Sequence, residues 1–199
     1  MNHNSTPKAA LIVVDVQNDF CPGGALAVPD GDRVVEPLNR AAAAFAAAGL
    51  PVVATRDWHP PHTGHFQPFG GLWPVHCVQN TPGAEFHPGL RLPADTILLF
   101  KGIDEQLDGY SAFDGVDDAG TVLADLVRQL GVGHLYIGGL ATDYCVRATV
   151  LDARLRGLAV TVLIDAVAGV DLQPGDSERA LAEIRAAGAQ TCRVEELTL

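Results

Sequence analysis

Six short apolar runs punctuate the chain, at residues 9–14, 52–55, 96–100, 135–139, 160–164 and, more weakly, 191–194. Each is continuously hydrophobic rather than alternating, the pattern of strands buried on both faces of a parallel sheet. Between them, residues 32–48 carry Val35, Leu38, Ala42 and Phe45 at helical spacing, with Gly49 to close the helix and Pro51 beyond it. Leu123, Leu126, Val127 and Leu130 line one face of residues 121–130, and residues 143–156 and 176–187 keep the same period, the last ending at Gly188. Strand and helix alternate. This predicts an α/β fold of three layers, a central and mostly parallel six-stranded sheet with helices on both faces.

Residues 57–95 break the rhythm, with many prolines and glycines, both tryptophans and no sustained period. Irregular stretches of this length inside a compact domain usually carry function, so the active site is expected partly here. The total of 199 residues suits a single domain over 1–199, with residues 1–8 as a flexible N-terminal tail.

Hydrophobic residues make up 48% and charged residues 19%, which excludes a disordered chain. The formal charge of −11 repels phosphate backbones and anionic lipid, so neither a nucleic-acid nor a membrane partner is expected. No apolar run reaches the ~20 residues of a membrane span, and the N-terminus is too polar for a signal peptide, which makes the cytoplasm the expected compartment. Cys21, Cys77, Cys145 and Cys192 lie far apart and are read as free thiols. Gly131-x-Gly133 precedes its strand and lacks a third glycine, so a dinucleotide site is rejected. A homo-oligomer is compatible with the sequence.

In an open parallel sheet, ligands bind beyond the carboxyl ends of the strands, so the polar residues that follow each run are the ones to inspect. Asp15, Asp57, Lys101 and residues 142–145 hold these places. Cys145 lies where a strand turns into a helix, with Thr142 as the expected N-cap. Such a helix start would lower the thiol pKa and offer amides to an oxyanion. Lys101 is one of only two lysines, against eleven arginines, which suggests a need for a compact ammonium between a carboxylate and a thiolate. Asp15 beside such a pair becomes a candidate proton carrier.

Five of the seven histidines, His59, His62, His65, His76 and His87, fall in the irregular stretch with Asp57. Asp57 and His59 share a face if the chain is extended, and His65 and His76 could complete a site. Imidazole and oxygen donors suit zinc, iron or manganese. His62 and His87 are read as bystanders.

Together, Asp15-Val16-Gln17-Asn18-Asp19-Phe20 with Gly23-Gly24, Asp57-Trp58-His59, Trp73-Pro74-x-His76-Cys77-Val78, Lys101-Gly102 and Ala141-Thr142-Asp143-Tyr144-Cys145-Val146 closely resemble the nicotinamidases among the isochorismatase-like cysteine hydrolases. The resemblance runs from Ala9 to about Cys192. It implies Asp15, Lys101 and Cys145 as a catalytic triad, with Asp57, His59, His65 and His76 as ligands of one divalent metal, zinc first. It also implies a cis peptide between Leu140 and Ala141, an oxyanion hole from the amides of Ala141 and Cys145, and a pocket of Phe20, Trp73, Tyr110, Leu140, Ala141 and Tyr144. Tyr144 stands where some relatives have histidine. The implied reaction is hydrolysis of nicotinamide through a thioester, serving NAD salvage. Competing readings are a sibling hydrolase of another amide or carbamoyl compound, a metallohydrolase in which Cys145 is structural, and a metal- or ligand-binding protein without turnover.

Overall fold

The computed structural model describes residues 8–199, so the expected N-terminal tail lies outside the described residues except for Lys8, which opens the first strand. In chain order the main elements are β1 (Lys8–Val14), α1 (Val35–Ala47), β2 (Val52–Asp57), β3 (Ile97–Lys101), α2 (Leu123–Gln129), β4 (Val132–Leu140), α3 (Arg147–Leu155), β5 (Ala159–Ala168), α4 (Asp176–Ala186) and β6 (Gln190–Cys192). The strands form one six-stranded sheet in the order β3-β2-β1-β4-β5-β6, and every neighbouring pair is parallel.

Alternate residues of the central strand β1 feed two separate cores. Leu11 and Val13 pack with Leu38, Ala42 and Phe45 of α1 on one face, while Ala10, Ile12 and Val14 pack with residues of α2, α3 and α4 on the other. Burial on both sides explains why the apolar runs are continuous. The strand order reverses between β1 and β4, which opens a crevice at their carboxyl ends.

The strands at this end outrun their apolar runs. β5 continues past the polar Asp165, whose carboxylate accepts the amide of Val194 at 3.0 Å. The predicted helix over residues 143–156 divides instead into a wide π turn, Thr142–Val146, and α3. Thr142 is therefore not the N-cap. It lies inside the turn, Ala141 precedes the turn in extended conformation, and the carbonyl of Ala141 accepts the amides of Tyr144 and Val146, each at 3.1 Å. π turns of this kind cluster at functional sites. Among the described residues, no helix is long and apolar enough to cross a membrane.

Candidate active site

Four strand ends bring the reactive side chains together. Asp15 follows β1 with a left-handed backbone (φ 48°), Asp57 and Lys101 end β2 and β3, and Cys145 follows β4 in the π turn. Lys101 Nζ lies 2.8 Å from Asp15 Oδ2, donates to Cys145 Sγ at 3.4 Å and also bonds Asp57 Oδ1. The Asp15, Lys101 and Cys145 expected to meet are thus in mutual reach, and the bond to Asp57 is a contact the sequence did not foretell. Thr55, two residues before Asp57 and on the same strand face, donates its hydroxyl to Asp15 Oδ1 at 2.6 Å and accepts the Asp15 amide at 3.2 Å. A left-handed non-glycine residue held by several partners is typical of strain retained at a working site.

Burial decides the protonation states. Burial, with help from the Asp57 carboxylate, raises Asp15 to about 6 despite the opposing Lys101 and Thr55. Cys145 is pushed well above the ordinary thiol range by burial and by both carboxylates, with Lys101 as the opposing influence. The expectation of a thiol lowered by a helix start is therefore corrected. For a buried thiol the desolvation of the thiolate outweighs a single short turn. Burial by itself would discharge Lys101, but Asp15 and Asp57 keep it charged well beyond its usual range. The resting pair is a neutral thiol beside a carboxylate of near-neutral basicity.

Beside this group stand His59, His65 and His76, all buried, with one ring nitrogen of each within 4.8 Å of the others. Their Nδ1 atoms are engaged outward: His59 with the carbonyl of Gly102 at 3.1 Å, His76 with that of Pro74 at 2.8 Å, and His65 with the carboxylate of Asp108 at 2.8 Å. That leaves each Nε2 over, and His59 Nε2 is buried with no hydrogen-bond partner, 3.7 Å from Asp57 Oδ2. Burial lowers His65, and lowers His76 to about 4, so these rings stay neutral. Imidazoles pinned through Nδ1 beside a carboxylate fit a divalent metal ion. Gly102 is required here: its φ is +65°, and a Cβ there would collide with the His59 ring. His62 stacks on Phe69 and His87 accepts the amide of Gly89, so neither joins the cluster.

Cys145, Asp57, His65 and His76 open onto one cleft, lined further by Phe20, Trp73, Tyr110, Tyr144 and Ala141 together with Leu26 and Val170. Trp73 packs edge-on against Tyr144 with centroids 4.7 Å apart, and its Nε1 donates to the Tyr110 hydroxyl at 2.8 Å. Leu140 corrects an expectation. Its side chain is fully buried in the core on the α1 face and does not line the cleft, because strand alternation turns it away from Cys145. The Leu140–Ala141 peptide is cis.

Several supporting residues escaped the sequence reading. Gln17 clamps the backbone of Asp57 by accepting its amide and donating to its carbonyl, each at 2.8 Å. Asp19 accepts the amide of Cys77 at 2.7 Å, next to His76. Asp143 accepts the amides of Val170 and Asp171 at 2.9 and 2.8 Å, which ties the π turn that carries Cys145 to the cleft wall after β5. Gln17, Asp19 and Asp143 sit within the motifs already noted, whereas Leu26, Asp108 and Val170 carry no sequence signal. All four cysteines are free.

Residues 9–196 match the family model described as the isochorismatase domain. The chain is 44% identical over 199 residues to the nicotinamidase of Escherichia coli, covering 92% of this chain and 93% of that one. It is also 44% identical over 184 residues to the nicotinamidase/pyrazinamidase of Mycobacterium tuberculosis, covering 91% and 96%. The crystal structure of a pyrazinamidase of Pyrococcus horikoshii in complex with zinc superimposes with a TM-score of 0.87 at 48% identity, covering 94% of this chain and 99% of that one.

Proposed function

This chain belongs to the isochorismatase domain family, and from that premise we propose that it is a nicotinamidase, an amidohydrolase that converts nicotinamide to nicotinic acid and ammonia. The observation that carries the reading is that Cys145, backed by Asp15 and Lys101, lines one aromatic cleft together with Asp57, His65 and His76 of the metal cluster. Its aromatic walls, Phe20, Trp73, Tyr110 and Tyr144, suit a flat ring held by stacking.

We assign Cys145 as nucleophile and Asp15 as the proton carrier. Asp15 takes the thiol proton as Sγ attacks the carboxamide carbon, and the amides of Ala141 and Cys145 hold the developing oxyanion. Asp15 then returns that proton to the departing nitrogen, so that ammonia leaves and a thioester remains. In the second half Asp15 deprotonates a water that attacks the thioester, and the proton goes back to sulfur as the acid is released. A base near pKa 6 suits both directions of transfer. Lys101 keeps its charge throughout, next to the two groups that alternate in charge.

Asp57, His59, His65 and His76 would hold one divalent metal ion, which we take to be zinc. When bound, it supplies a Lewis acid for the pyridine nitrogen and so fixes the carboxamide relative to Cys145. The same reading takes residues 1–199 as one domain acting in the cytoplasm, in the salvage of nicotinamide for NAD, with pyrazine carboxamide as a second substrate. The four free thiols support a reducing compartment.

Ammonia release from nicotinamide and from a panel of aliphatic amides tests the assignment. Turnover of nicotinamide is expected. Hydrolysis of the aliphatic amides alone would move the protein to a sibling amidohydrolase, and no ammonia from any amide would end the reading.

A further inference from the structure

The three histidines are not anchored alike. The Nδ1 partners of His59 and His76 are backbone carbonyls, those of Gly102 and Pro74, which cannot be altered by a side-chain substitution. His65 rests on a side chain, the Asp108 carboxylate at 2.8 Å, and that side chain is 58% exposed. Asp108 belongs to the segment that follows β3, and the segment grips the His65 loop at two further points. The carbonyl of Glu105 accepts both the amide of Gly64 and the hydroxyl of Thr63, each at 3.0 Å. Thr63 in turn accepts the amide of His65 at 3.2 Å.

We propose that Asp108 is a positioning residue for the metal, its carboxylate holding the proton of His65 on Nδ1 so that Nε2 is presented as a ligand, and that residues 105–108 thereby govern how long the ion is retained. The inference rests on the metal reading given above. The physical reason is specific to a neutral imidazole. Its proton sits on one nitrogen or the other, and a ring without an acceptor at Nδ1 spends part of its time as the tautomer whose Nε2 is blocked. A carboxylate acceptor also makes the opposite nitrogen a better donor, and loss of such outer partners typically weakens metal binding by about 10- to 100-fold. Solvent can replace an exposed carboxylate but cannot hold the ring angle. The exposed anchor is therefore the weakest point of the cluster, whereas His59, fully buried against Gly102, is its firmest.

The test is zinc binding, with no substrate present. Purified protein is stripped, reloaded with one equivalent of zinc and challenged with a chromophoric chelator, and both the release rate and the equilibrium affinity are read. Asp108→Ala is expected to lose zinc about 10- to 100-fold more readily than the unaltered protein. Asp108→Asn keeps an oxygen acceptor for Nδ1 and is expected to retain zinc better than the alanine variant. Asp104→Asn removes the same charge from the same segment without touching a histidine and should match the unaltered protein. Unaltered zinc retention in Asp108→Ala would overturn the proposal, as would an equal loss in Asp104→Asn, which would reduce the effect to general charge. If the unaltered protein itself bound no zinc, the metal reading would fall first and this inference with it.

Discussion

Lys101 bonds one oxygen of Asp57 while the other oxygen of the same carboxylate faces His59 Nε2 at 3.7 Å. One aspartate therefore joins the ion pair around the thiol to the histidine cluster. Burial works against its charge, but the Lys101 ammonium overcomes this and holds it well below the usual carboxylate range.

This sharing separates two variants. Asp57→Asn should lower metal content and also slow the hydrolysis of benzamide, which has the ring and the carboxamide but no ring nitrogen. His76→Ala should lower metal content and raise the KM for nicotinamide while changing benzamide much less. Metal analysis alongside kinetics with both amides decides it, and equal losses on both amides in both variants would make the cluster structural.

Cys145→Ala should reduce turnover by about 1,000-fold or more, the scale seen when a nucleophile is removed, with the circular dichroism unchanged. Cys192, partly buried and far along the chain in β6, is the control, and Cys192→Ser should be near normal. Activity above a few per cent in the alanine variant would remove the nucleophile assignment.

Lys101→Arg should be nearly as damaging as Lys101→Ala. The ammonium is fully buried among Asp15, Asp57 and Cys145, and a planar guanidinium is too wide for that space. Near-normal rates in the arginine variant would show that position-independent charge is sufficient.

The pH dependence of kcat/KM should report Asp15. Its carboxyl must be ionised to accept the thiol proton, and its pKa in the folded protein is raised to about 6. Activity should therefore be level above that pH and fall about tenfold per unit below it. Thr55→Val removes a hydrogen bond that lowers the Asp15 pKa and should move the acid limb upward. An unmoved limb in that variant would assign the ionisation to another group.

The pattern of apolar runs alone determined the strands, their parallel sense and the helices on both faces, because a strand buried on both sides cannot alternate. The strand-end rule then pointed at Asp15, Asp57, Lys101 and Cys145 before any contact was known. Local sequence did not determine protonation. The raised thiol of Cys145 and the raised Asp15 follow from burial among charges that come from three different strands. Nor could it place Asp108 against His65, forty-three residues away in sequence, or turn Leu140 into the core while leaving Ala141 in the cleft. Periodicity is a local property and survives in the sequence. Desolvation, shared hydrogen bonds and the choice of which face meets the cleft depend on distant segments meeting, and only the folded chain supplies them.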